Sequence, residues 1–117
     1  MKNKMMLIVR NDLKMGKGKI ATQCSHATLK CYQKSVKQCP ELVADWEMFG
    51  QAKIVAKCDS LEKLKEIEQR AKKAGLVTGL ITDAGRTQVE PNTVTVLGIG
   101  PAPVDCFQGV TSDLLLL

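Results

Sequence analysis

Aromatic side chains are scarce in these 117 residues: one Trp, one Tyr and two Phe, 3% of the chain. That weighs against a single-strand nucleic-acid module in which bases stack on a surface of Phe and Tyr. Cysteine pairing is missing as well. The five cysteines, at 24, 31, 39, 58 and 106, are odd in number and hold no C-x-x-C spacing, which argues against a disulfide frame and against a zinc site. Cys24 and Cys31 read instead as small apolar core residues in a reducing compartment. No apolar run approaches a membrane span, and residues 5–9 are too short for the core of a signal peptide. The expected location is the cytoplasm, with mitochondrial association if the natural chain carries an N-terminal extension.

Acids are nearly missing from the first third. Residues 1–37 hold nine Lys and Arg against Asp12 alone, a net of +8, while the remainder carries eight basic and eleven acidic residues, a net of −3. An excess this local fits a phosphate-rich partner better than a solubilising surface. The rest of the composition is ordinary. Hydrophobic content of 44% and charged content of 25% describe one globular domain over residues 1–117, long enough to bury a real core.

The chain is organised around residues 10–26. Before them the run Met5-Met6-Leu7-Ile8-Val9 suits a buried strand. After them Ile20, Cys24, Ala27 and Cys31 recur at the spacing of one buried helix stripe. Between lies a Gly-Lys loop that opens the helix. A helix opening gathers unpaired backbone N–H groups and the positive end of the peptide dipoles, so Lys14, Lys17 and Lys19 beside it should attract an anion. Opposite the apolar stripe, Lys19, Gln23, His26, Lys30, Lys34 and Lys37 share one helix face. From Lys19 to Lys37 that face runs roughly 27 Å, enough to follow several phosphates.

Further elements follow in order. A strand over residues 5–10 and a helix over 18–38 precede a second helix that starts at Pro40 and stops at Gly50. Residues 52–58 predict a second strand. Asp59, with Glu62 three positions on, offers a capping pair for a helix that Gly75 ends. Residues 76–82 predict a third strand, 84–92 a loop and 93–99 a fourth strand. The run Gly98-Ile99-Gly100-Pro101-Ala102-Pro103 should end that strand, with a short helix from Val104 after it and residues 114–117 packed or frayed. The order β-α-α-β-α-β-β-α implies an α/β fold: a four-stranded mixed sheet in a three-layer α/β/α sandwich. On such sheets ligands gather at the carboxyl ends of the strands. The 11–18 and 83–88 loops should therefore meet there.

Three patterns bear on chemistry. The Gly-Lys loop fails as a nucleotide-binding P-loop, because Leu13 stands where Gly is required and Ile20 where the motif needs Ser or Thr. Ser25 and His26 are adjacent on a helix, about 100° apart, and cannot form a nucleophile-base dyad. His26 alone suits an acid, a base, an RNA contact or a structural role. In Asp83-Ala84-Gly85-Arg86-Thr87-Gln88, a carboxylate at a strand end with a hydroxyl and a guanidinium nearby suits water activation and phosphate binding. An Asp that orders its own turn and pairs with Arg86 fits equally.

These motifs together resemble the peptidyl-tRNA hydrolase 2 family of archaea and eukaryotes. The resemblance rests on residues 9–19, on Gln23-Cys24-Ser25-His26-Ala27, on Thr82 to Gln88 and on Val96-Leu97-Gly98-Ile99-Gly100-Pro101, so it covers essentially the whole chain. It implies hydrolysis of the ester between peptide and tRNA, no cofactor and no required metal, and a homodimer. It also implies a catalytic cluster of Lys19, Asp83 and Thr87, with Gln23 and His26 at further active-site positions. Phosphates of the tRNA would be met by Lys14, Lys17, Lys30, Lys34 and Arg86. Eukaryotic relatives often carry a hydrophobic N-terminal anchor. The competing reading is a non-catalytic tRNA-binding or protein-interaction domain on the same scaffold.

Overall fold

Alternation along the first strand decides the architecture of this computed structural model, which describes residues 1–84 and 92–117. In β1 (Asn3–Arg10) every residue from Met5 to Val9 is buried. Met5, Leu7 and Val9 join an apolar cluster with Cys24, Ala27 and Cys31 of α1 (Lys17–Gln38) and Trp46 of α2 (Pro40–Met48). Met6 and Ile8 point the other way, to Leu64, Ile67 and Ala71 of α3 (Leu61–Lys73). A strand buried on both faces reads as a continuous apolar run, which is why β1 shows no polar alternation.

β1 sits at the centre of a mixed sheet. It pairs in parallel with β2 (Lys53–Cys58), the α1–α2 segment serving as the crossover, and antiparallel with β4 (Val94–Pro103). β3 (Thr78–Thr82) pairs antiparallel with β4 on the outside. The carboxyl ends of β1, β2 and β3 therefore share one edge with the start of β4. Among the described residues, no helix is long and apolar enough to cross a membrane.

The sheet has five strands, not four. β5 (Leu115–Leu116) pairs antiparallel with Ala56 and Lys57, giving the order β3-β4-β1-β2-β5. A two-residue strand has no period to read, and residues 114–117 settle on β2 because its edge is open there. The expected final helix is only a 3-10 turn, Val104–Phe107, that drops Phe107 into the core. The fourth strand also runs past its expected end. Its pairing with β1 slips between Lys4 and Met6, so β4 carries an extra residue at Gly100, whose φ of +101° suits glycine. The irregularity falls beside Pro101, which has no N–H to give a ladder.

Two glycines let α1 lie close on the sheet. A Cβ on Gly98 would stand 2.7 Å from Cys31 Sγ and 3.2 Å from the Ala27 carbonyl, and one on Gly79 3.1 Å from the same sulfur. That approach lays the middle of α1 directly on β3 and β4.

Candidate active site

The site grows from the turn after β1. Residues Asn11–Leu13 form a 3-10 turn, Lys14 takes a left-handed conformation and donates its N–H to the Asn11 carbonyl, and Met15 is buried as an anchor. Arg10 ties the turn down. It pairs with Asp12 at 2.7 Å and donates to the Val94 carbonyl at 3.1 Å. Gly16 precedes α1, and among the described residues no side chain caps the helix there; Lys14 and Lys17, beside its first turn, are both exposed.

From the other side comes Asp83, the residue after β3. Its N–H donates to the Thr93 carbonyl at 2.9 Å and its carbonyl accepts from Asn92 N–H at 2.8 Å, so the backbone is held firmly on both strands. β3 and β1 are two strand spacings apart, about 10 Å, a gap that a lysine tail rooted in the first turn of α1 can close. Lys19 Nζ donates to Asp83 Oδ1, with the two side chains only 8% and 3% exposed. Two turns remote in sequence thus meet in one buried ion pair, as the carboxyl-edge argument expects.

One helical turn on, Gln23 is buried. Its Nε2 donates to Thr95 Oγ1 at 2.6 Å, and Thr95 donates to the Ile81 carbonyl at 3.3 Å. Thr95 escapes sequence reasoning because a threonine inside an apolar run reads as an ordinary strand former. Its completely buried hydroxyl links α1 to both strands beside Asp83. His26, a further turn along, is exposed and lies outside this buried cluster. Ser25 spends its hydroxyl on the Ala21 carbonyl at 2.7 Å, in keeping with its exclusion as a nucleophile.

The basic stripe divides. Lys30 and Lys34 fold across to the outer strand, donating to the Leu80 carbonyl at 2.9 Å and the Thr78 carbonyl at 2.6 Å. Arg86 and Thr87 lie outside the described residues. Among those described, no group of three or more His, Cys, Asp or Glu is placed to hold a metal ion. A cavity of about 580 Å³ lies between α1 and α2, lined by Cys24, Thr28, Tyr32, Trp46 and Lys53, and shares no residue with the ion pair.

Comparison with known proteins joins this geometry. The chain is 53% identical over 113 residues to peptidyl-tRNA hydrolase 2, mitochondrial, of Bos taurus, and 51% identical over 113 residues to the Homo sapiens protein of the same name. Each alignment covers 97% of this chain and 63% of the relative, so the chain spans somewhat under two thirds of those proteins. It is 46% identical to the peptidyl-tRNA hydrolase of Sulfurisphaera tokodaii over the full length of both. Residues 3–117 match the family model described as Peptidyl-tRNA hydrolase PTH2, and the chain belongs to that family.

Proposed function

We propose that this chain hydrolyses the ester between the peptide and the terminal ribose of peptidyl-tRNA, releasing free tRNA for reuse in translation. The observation that carries the proposal is the buried pair of Lys19 and Asp83, 64 residues apart in sequence, in a member of the PTH2 family. The three-layer reading of the scaffold is supported by β1 dividing its side chains between two apolar clusters.

Ester hydrolysis needs a positioned water, a base, a stabiliser for the oxyanion and a proton for the departing ribose oxygen. Asp83 and Thr87 orient and activate the water, the carboxylate taking its proton as the water oxygen bonds to the acyl carbon. Lys19 and the first-turn N–H groups of α1 stabilise the negative charge on the carbonyl or leaving oxygen. When the bond between the acyl carbon and the ribose oxygen breaks, that proton goes to the ribose oxygen, and Asp83 again pairs with Lys19. Gln23 belongs to the same set, supported by its buried bond to Thr95, and the family motif puts His26, exposed outside that cluster, at a further active-site position. Phosphates are met by Lys14, Lys17, Arg86, Lys30 and Lys34.

Release of labelled peptide from an N-blocked aminoacyl-tRNA tests this. Lys19→Ala should lower kcat about 100- to 1000-fold, roughly 3 to 4 kcal/mol of transition-state stabilisation, with KM little changed. Asp83→Asn should fall alongside it. Unchanged turnover removes Lys19 from the mechanism, and no release by the unaltered chain leaves a non-catalytic tRNA-binding domain. The assembly we propose is a homodimer, supported by Leu29 standing exposed in the lining of the α1–α2 cavity and by Met48 and Phe49 standing exposed at the end of α2. Sedimentation should give twice the monomer mass, and Phe49→Asp should reduce it to one.

A further inference from the structure

Sheet edges hold backbone hydrogen bonds that are still to be made. β3 is the outer strand, and among the described residues no other strand pairs its free side. Thr78 and Leu80 turn their carbonyls to that side, where Lys34 and Lys30 donate to them. By strand alternation the N–H groups of Thr78, Leu80 and Thr82 face the same way. Lysine has no acceptor, so these two ammonium groups satisfy the carbonyls and can take nothing from the N–H groups.

This edge leads into the candidate centre. Thr82 is the last residue of β3 and Asp83 follows it. From Leu80 to Asp83 is about 10 Å of extended chain, and from Thr78 about 17 Å. An acyl carbon seated at the Lys19–Asp83 pair must carry its peptide away from that point. A peptide of no fixed sequence offers only its main chain for recognition, and the β3 edge supplies donors and acceptors at strand spacing.

We propose that the edge of β3 docks the peptide part of the substrate as an added strand. This inference rests on the hydrolase reading above. The added strand runs parallel to β3, because β3 heads toward Asp83 and the peptide has its ester end there. Peptide N–H groups replace Lys30 and Lys34 on the Leu80 and Thr78 carbonyls, and peptide carbonyls accept from the edge N–H groups. The displaced ammonium groups are then free to meet tRNA phosphates. Both halves of the substrate draw on the same two lysines, so binding of either favours the other.

The test changes the substrate and leaves the protein untouched. Tetrapeptidyl-tRNAs, each with one N-methylated residue at the first, second, third or fourth position from the ester, are hydrolysed beside the unmethylated parent. Methylation removes one N–H donor. The expected kcat/KM falls about five- to tenfold at alternate positions and little between them. A profile without alternation, with the parent still hydrolysed, overturns strand addition and leaves the hydrolase reading in place. Loss of hydrolysis of the parent as well overturns both. Amide exchange supplies a readout besides activity: a 3′-amide analogue of peptidyl-adenosine, at saturation, should slow exchange at Leu80 and Thr82. Unchanged exchange there overturns the proposal.

Discussion

Cys31 sits where α1 comes closest to the sheet, its sulfur wedged over Gly79 and Gly98 and completely buried. Burial pushes the thiol up from the ordinary 9.0 to about 12, and the ammonium groups of Lys34 and Lys30 only partly oppose it. A thiol held protonated in the folded chain stabilises it fully below about pH 9. Between pH 9 and 12 the unfolded chain binds fewer protons at this site, so stability falls as pH rises, with a slope approaching about 1.4 kcal/mol per unit. Chemical denaturation between pH 8 and about pH 10.5 checks this sign. The unaltered chain should lose stability faster than Cys31→Ala across that window, and parallel curves would acquit the thiol. Lys19 and Asp83 present the opposite case. Two buried charges gain little net stability from their attraction after desolvation, so a pair of this kind is better explained by what it does than by what it holds together.

Element by element, long periodic segments were legible and short or irregular ones were not. The stripe Ile20, Cys24, Ala27 and Cys31 faces the core because its spacing repeats over several turns of one helix. The meeting of Lys19 with Asp83 also follows from sequence, since crossover and hairpin rules send both loops to one sheet edge. The cap of α3 does not sit where the Asp59–Glu62 spacing places it. Ser60 accepts from Lys63 N–H at 3.0 Å, one residue later, because either side chain can cap and the register is chosen by Leu64 and Ile67 reaching the core. β5 escapes because it exists only by pairing with β2. The roles of Lys30 and Lys34 escape for a related reason. Helical spacing places them on a polar face, but only the sheet order shows that β3 is an edge whose carbonyls lie under that face. Thr95 is legible only once α1 is laid across β4.

Across the whole molecule, the net +8 of the first 37 residues is opposed by a net −3 elsewhere, so the charge is polarised toward the strand, loop and helix that supply Lys19. Arg10 and Lys19 are neutralised by Asp12 and Asp83, and Lys30 and Lys34 are engaged with β3, whereas Lys14 and Lys17 stand exposed at the opening of α1. Among the described lysines around the opening of α1, these two are therefore the cations most available to phosphate before any rearrangement. Contacts of this kind release condensed counterions, so affinity for tRNA should fall linearly with log salt, each lost phosphate contact flattening the slope by about 0.7 to 0.9. Titrating tRNA binding from about 50 to about 300 mM salt should then show Lys14→Gln with Lys17→Gln binding more weakly at low salt and converging on the unaltered chain at high salt. Turnover at saturating substrate should be almost unchanged, because both side chains would act on phosphate in the ground state and the transition state alike. Equal slopes for the two proteins would move the tRNA path away from the Gly-Lys loop, and a lowered kcat would place one of these lysines in the chemistry beside Lys19.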